Sequence, residues 1–151
     1  MENTKTITVN RKAYHDYHIL ETLEAGIVLK GTEIKAVRDG KINIRDAYAK
    51  AENGELWLCN AHISKYQAGS FFDHDPDRRR KLLLHKSQIN ELALETVKKG
   101  LTVIPLRFYI KKGVAKVELG LARGKKVFDK RETMAKRDAD RQIERALKRR
   151  V

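Results

Sequence analysis

The chain has 151 residues, with 33 Lys/Arg against 20 Asp/Glu and a formal net charge of +13. That length fits one domain with an appendage, and the charge points to nucleic acid or another polyanion as partner while leaving the fold open. The one cysteine, Cys59, cannot form an internal disulfide, the first 18 residues lack the apolar stretch of a secretory signal, and no apolar run is long enough to cross a bilayer, so a cytoplasmic protein without a membrane partner is expected.

Residues 1–10 are polar and are expected to form a flexible N-terminus. Residues 17–29 mix aromatic, β-branched and aliphatic side chains and read as a strand, in which Gly26 marks a bulge or a close backbone approach. Residues 31–40 set Ile34, Val37 and the stem of Arg38 at helical spacing and stop at Gly40. Residues 42–51 and 55–63 alternate around Asn53-Gly54, a strong hairpin signal because both central residues of a type I′ turn need positive φ. The stretch 66–80 is a long polar loop with Pro76 and three consecutive arginines, and 81–85, KLLLH, is a brief strand. The clearest helix opens at a Ser87 cap, places Ile89, Leu92, Ala93 and Val97 on one face and stops at Gly100. A second hairpin, 102–110 with 114–121, turns at Lys112-Gly113; Ala115, Val117, Leu119 and Leu121 share one face, Lys116 and Glu118 the other.

No βαβ alternation and no internal repeat occurs. Many short strands with a helix before the last hairpin predict a mainly β fold with helices, an OB-fold-like antiparallel β-barrel over 11–122 with flanking short helices. Residues 123–151 form a basic C-terminal tail, with 12 Lys/Arg against 5 Asp/Glu, or +7, leaving +6 for residues 1–122. Ala135, Ala139, Ile143, Ala146 and Leu147 make only a narrow apolar stripe there. The tail is therefore expected to be disordered or a frayed helix when free, and helical against RNA, where phosphate neutralisation releases counterions.

No phosphate-binding loop, dinucleotide fingerprint, nucleophile elbow or zincin motif is present, and no catalytic residue, metal or cofactor is expected. Cys59 and His62 are too few for a structural zinc site, and His74 among Asp73, Asp75 and Asp77 reads as a solvated acidic turn. Basic residues are interleaved with aromatics: Tyr14, Tyr17, Phe71, Phe72, Phe108, Tyr109 and Phe128 are candidates to stack on unpaired bases. One of Phe108 and Tyr109 should face the core, and Trp57 reads as core or core edge. Phe128, isolated among charges, is the better stacking candidate. Arg78, Arg79, Arg80 and Lys81 form one block suited to phosphate contact. A single carboxylate can add specificity by accepting from guanine N1 and N2 or from a 2′-hydroxyl.

The segments NRKAYHDY at 10–17, EAGIVLKGTEIKAVRDGKINIRDAY at 24–48, DRRRKLLLH at 77–85 and GLARGKKVFDKR at 120–131, followed by a basic tail, closely resemble the SmpB (SsrA-binding) family. The resemblance implies a barrel that binds the elbow of the tRNA-like domain of transfer-messenger RNA, with Asn10, Glu24, Leu83, His85 and Lys116 at positions associated with that surface. Arg11 and the 78–81 block are grouped with it. His85 stands where some relatives carry asparagine, and Leu83, in a KLLL run, has the pattern of a core residue. The resemblance also implies a tail that enters the empty messenger channel of a stalled ribosome. Gly124, Lys125, Lys126, Phe128, Asp129, Lys130 and Arg131, with Lys136 and Arg137, would lie near the decoding centre, and elongation factor Tu would join through the RNA. Two rival readings are a general single-strand binder, which would tolerate any RNA, and a small ribonuclease, which would need convergent acids or histidines at a phosphate.

Overall fold

The computed structural model describes residues 4–66 and 74–149. The elements follow in the order β1 Thr4–Val9, α1 Arg11–Asp16, β2 Tyr17–Ile27, α2 Gly31–Arg38, β3 Ile42–Asn43, β4 Tyr48–Glu52, β5 Glu55–Cys59, β6 His62–Ile63, β7 Arg80–Leu83, α3 Lys86–Lys99, β8 Thr102–Lys111, β9 Val114–Gly124 and α4 Val127–Arg149. The two hairpin signals act as expected. Asn53 and Gly54 join β4 to β5, Lys112 and Gly113 join β8 to β9, and all four residues have positive φ.

All pairings are antiparallel, and six strands form a closed circuit. The strand β9 pairs with β2 along one edge and β8 along the other. From β2 the ladder runs through β7, β5 and β4, and β4 returns to β8 at Ala49–Val103. Closure pairs both edges of the circuit strands over part of their length and so limits the open edges that would invite pairing with other chains. The strands β3 and β6 form a small separate ladder, Ile42–Ile63 and Asn43–His62, so residues 42–47 and 60–63 leave the expected hairpin.

Residues 4–9 are a strand rather than a loose segment. Beyond Val103 the outer edge of β8 is unused by β4, and β1 pairs there from Thr4–Lys111 to Val9–Arg107. The β-branched residues of TKTITV suit such a strand, a preference that their polarity concealed. The helix α3 also differs at both ends. It begins at Lys86, with His85 at the N-cap and the His85 N–H donating to Gln88 Oε1 at 3.1 Å, so Ser87 lies inside it. Ile89 and Leu92 are buried, but Val97 is 84% exposed.

The core lies within the circuit. Leu56, Leu58, Leu82, Phe108, Val117 and Leu119 are all fully buried, each stabilising the fold by about 1.5–3 kcal/mol. The expected alternation on β9 is observed: Ala115, Val117, Leu119 and Leu121 point inward, Lys116 and Glu118 outward. A smaller cluster, Ala13 with Ile104, Leu106 and Ala122, seats α1.

Polar groups are also buried, and α2 collects them. Glu33 Oε1 accepts from the Lys30 N–H at 2.8 Å and from Arg78 Nη2 at 2.5 Å, while Oε2 accepts from Arg80 Nε at 2.6 Å. Arg80 is fully buried and also donates to the carbonyls of Ala61, Asp75 and Pro76. Beside it, His74 Nε2–H donates to the Ile63 carbonyl at 2.8 Å, and Nδ1 lies 2.9 Å from the Thr32 hydroxyl. His74 is thus part of the interior and not of a solvated acidic turn.

Burial pushes the Glu33 carboxyl up, but the bonds from Arg78, the Lys30 backbone and Arg80 outweigh it and hold the group below its ordinary range. A depressed carboxylate contributes stability that is present above its unfolded-state pKa and lost as pH falls through its folded-state value. Glu33→Gln, which leaves Arg80 buried without its counter-charge, should cost about 3–5 kcal/mol by urea denaturation at pH 7. The gap between wild type and variant should narrow on acidification.

Candidate nucleic-acid interface

Strand parity builds the surface. On β7, Arg80 and Leu82 point inward, so Lys81 and Leu83 point outward. On β5, Leu56 and Leu58 point inward, so Trp57 points outward, opposite Lys81. On β2, Ala25 and Ile27 enter the core and leave Glu24 and Gly26 outside. The register then aligns Gly26 with Leu83 on one side and Lys116 on the other. A row runs across four strands: Trp57, Lys81, Leu83 with Gly26, and Lys116.

Glu24, Gly26, Leu83, His85, Gln88 and Lys116 line an open groove of about 410 Å³. Four of the expected RNA-surface residues, from β2, β7, β9 and the N-cap of α3, thereby converge. Gly26 forms its floor by close approach. A Cβ there would stand 3.2 Å from Leu83 Cβ, and the bulge in β2 lies elsewhere, between Ile19 and Glu21. Leu83 is 50% exposed, contrary to its core-like pattern; Leu82 takes the core position. The groove thus has an apolar wall, a carboxylate and a lysine. It opens at the positive end of α3, where anions are stabilised.

Glu24 is held from the far side of β9. The Tyr109 hydroxyl donates to Glu24 Oε2, and Lys111 Nζ lies 3.5 Å from the same oxygen. The Tyr109 bond, with Lys111 and Lys116 nearby, keeps the Glu24 carboxyl below its ordinary range. Arg107 stacks on the Tyr109 ring at 4.3 Å and pairs with Glu118 at 3.3 Å. Sequence reading paired Tyr109 with Phe108 as alternatives for the core. Phe108 is the core residue, and Tyr109 lies on the outer face, where Arg107 covers it to 3% exposure.

The basic block at 78–81 is less free than its sequence implies. Arg78 and Arg80 bind Glu33, Arg79 binds Glu52 at 2.6 Å, and Lys81 binds Glu55 at 3.2 Å. Arg80 is interior and is withdrawn from the phosphate contacts. Arg79 also stacks over Trp57 at 4.3 Å. Exposed pairs of this kind are weak, so Arg79 and Lys81 can exchange a carboxylate for a phosphate at small cost.

Asn10 is likewise interior, 3% exposed. Its Oδ1 caps α1 by accepting from the Ala13 N–H, and its Nδ2 donates to the Ile44 and Pro105 carbonyls at 3.1 and 2.9 Å. It positions α1 against β8 and offers little surface of its own to a ligand. Arg11 is exposed on a different groove of about 660 Å³, shared with Lys12, Arg45 and, from α4, Arg137. The expected RNA residues therefore fall on two surfaces.

The tail begins where β9 ends at Gly124. The Lys125 N–H donates to the Asp16 carbonyl at 2.7 Å, Lys125 Nζ donates to the Tyr14 carbonyl at 3.2 Å, and Lys130 Nζ lies 3.5 Å from Asp16 Oδ1. Residues 127–149 form the single helix α4. Lys126, Arg131, Lys136 and Arg137 are exposed, as are the described apolar residues Met134, Ile143 and Leu147, so no core lies behind it. The side chains of Phe128 and Asp129, and residues Phe71, Phe72 and Asp73, lie outside the described residues. Among the described residues no three His, Cys, Asp or Glu side chains gather to hold a metal, and no helix is long and apolar enough to cross a membrane.

The contrast between adjacent leucines is testable. Leu82→Ala should cost about 2–5 kcal/mol in urea denaturation. Leu83→Ala should cost less than about 1 kcal/mol, so any loss of RNA binding by Leu83→Ala reports a lost contact and not a lost fold.

The chain matches the family model described as SmpB protein over residues 7–149. It is 62% identical over 144 residues to an SsrA-binding protein of Carboxydothermus hydrogenoformans, an alignment covering 95% of this chain and 97% of that one. It is 60% identical over 139 residues to an SsrA-binding protein of Ligilactobacillus salivarius, covering 92% and 90%. A solved structure described as "tmRNA-SmpB: a journey to the center of the bacterial ribosome" aligns at a TM-score of 0.67 and 53% identity, over 80% of this chain and 85% of that one.

Proposed function

This chain belongs to the SmpB protein family, and on that premise we propose that it is an RNA-binding adaptor of trans-translation, partnering transfer-messenger RNA and the ribosome. Finer assignments follow from the surface. The groove of Glu24, Leu83, His85 and Lys116 receives the tRNA-like domain, and its assembly from four separate elements is the observation that carries this reading. Lys116 and the positive end of α3 take backbone phosphate, Leu83 offers an apolar face to a base or ribose, and Glu24 supplies an acceptor that lysines cannot. Arg79 and Lys81 extend the phosphate track over Trp57.

The tail does separate work. Among the described residues the helix α4 carries its charge on exposed side chains and is tied to α1 by an ion pair in its first turns, with no described apolar side chain against the core, so its stability in the free chain is close to that of an isolated peptide. Phosphates lining a messenger channel supply what the barrel does not. Gly124 to Arg131, with Lys136 and Arg137, enter near the decoding centre, and Phe128 stacks on a ribosomal base. Elongation factor Tu joins through the RNA. The protein acts in the cytoplasm by shape and charge, standing with the RNA elbow in place of a complete tRNA, and contributes no covalent step.

Three measurements test this. In competition binding at fixed salt, the protein should prefer a tRNA-like domain to an unstructured RNA of the same length; equal affinity would return the general single-strand reading. Lys116→Ala should reduce the slope of log affinity against log salt by about 1. Truncation before Gly124 should leave most RNA affinity and abolish activity on stalled ribosomes. Equal loss of both would show that barrel and tail do not divide the work.

A further inference from the structure

We propose that Tyr109 is a positioning residue for RNA recognition, locking the Glu24 carboxylate at the groove by one oxygen and leaving the other open to RNA. The inference rests on the reading of this groove as the RNA surface and adds the residue that makes its carboxylate usable.

The bond between Tyr109 and Glu24 crosses a strand. Tyr109 is on β8, opposite Lys116 of β9, and Glu24 is on β2, opposite Glu118 of β9. Two strand spacings, about 10 Å, separate them across the sheet, and two residues, about 7 Å, along β9. A phenol and a glutamate lying along the outer face together cover that distance, and a phenylalanine would fall short of the carboxylate. The ring is fixed before any ligand arrives. Arg107 stacks on it at 4.3 Å and is itself held by Glu118 and by the Thr6 hydroxyl at 3.2 Å.

The consequence lies in the two oxygens of Glu24. Oε2 receives the Tyr109 hydroxyl and faces Lys111 Nζ at 3.5 Å, which uses its accepting directions. No described residue bonds Oε1. A free glutamate beside a groove would present both oxygens and could clasp the N1–H and N2–H of a guanine together. This one presents one oxygen, Oε1, to the groove, so it can take a donor such as a ribose 2′-hydroxyl or an exocyclic amine but cannot clasp the N1–H and N2–H of a guanine with its two oxygens. A carboxylate already held in place loses less rotamer entropy on binding than a mobile one.

The charged and titratable groups around Glu24 are Tyr109 and Lys111 on β8 and Lys116 on β9, with Arg107 and Glu118 around the tyrosine. Removing the phenol hydroxyl removes the largest influence holding the Glu24 carboxyl low, so its pKa should rise toward the ordinary value.

The test is a double-mutant cycle on the full chain with the tRNA-like domain at fixed salt and neutral pH, alongside carboxyl-carbon NMR titration of Glu24 in the free protein. Tyr109→Phe should weaken binding about tenfold, raise the Glu24 midpoint and add little to the loss caused by Glu24→Gln. Lys111→Met should act in the same direction, which keeps the test informative if the phenylalanine variant folds poorly. An RNA substituted with 2′-deoxyribose, or with inosine for guanosine, at the contacted position should bind wild type and Glu24→Gln with equal affinity only where the deleted group is the donor that Glu24 accepts. Should Glu24→Gln bind as tightly as wild type, the groove reading itself fails. Should Glu24→Gln lose affinity while Tyr109→Phe keeps it, or should the two losses simply add, the groove stands and the positioning role of Tyr109 is overturned.

Discussion

The Glu33 carboxylate decides which way the 78–84 segment faces. It reaches Arg78 with one oxygen and Arg80 with the other, and α2 holds it in place through the Lys30 N–H. With Arg80 drawn inside, strand alternation leaves no freedom: Leu82 must follow it inward, and Lys81 and Leu83 must face solvent. Register by one residue in the other direction would bury Lys81 and Leu83 and turn one wall of the groove and a neighbouring surface lysine into core. A buried ion pair is weak evidence for stability, because desolvation consumes most of the Coulomb gain. Here its effect is on specification. It fixes the parity of β7, and parity fixes the surface.

Sheet closure converts that parity into a site. The strands β7, β2 and β9 are neighbours only because the chain returns β4 to β8 and brings the last hairpin against β2. Glu24, Leu83 and Lys116 are far apart in sequence, and each is unremarkable alone. Pairing Gly26 with both Leu83 and Lys116 places them within one side-chain length of each other. The long β8 completes the arrangement by using its second edge twice, for β4 near Val103 and for β1 beyond Arg107. It also supplies Tyr109 and Lys111 from the opposite side of β9. Stability and recognition are divided by face: core from one side of each strand, groove from the other.

Local signals were legible because they act locally. Asn53-Gly54 and Lys112-Gly113 impose turn geometry whatever surrounds them, and the alternation of Ala115 to Leu121 states which face is buried. Trp57 was legible in principle, since inward Leu56 and Leu58 leave it only the outer face. What stayed hidden depends on partners distant in sequence. Three consecutive arginines give no sign of which one is interior until Glu33, over 40 residues earlier, selects Arg80. Asn10 reads as a surface residue next to Arg11 and Lys12, yet the carbonyls of Ile44 and Pro105 draw it inside. The strand at residues 4–9 needed a vacant edge on β8 that no local pattern announces. The resemblance named the residues of the groove; only the fold separates those that line it from those that hold its walls.

The tail completes the logic by remaining outside this economy of faces. Its cations could have been neutralised by the acids of the barrel, as Arg79 and Lys81 are, but among the described residues the ion pair between tail and barrel lies in the first turns, where Asp16 receives the Lys125 N–H and faces Lys130. Beyond that point Arg131 to Leu147 hold no described apolar side chain against the core. A helix with that much exposed charge gains little from folding alone and much from a wall of phosphates. The tail's exposed charge thus lies on a different surface from the groove on the barrel. The contacts at Asp16 set the point from which α4 leaves the barrel, so its start is fixed relative to the groove by β9 and α1.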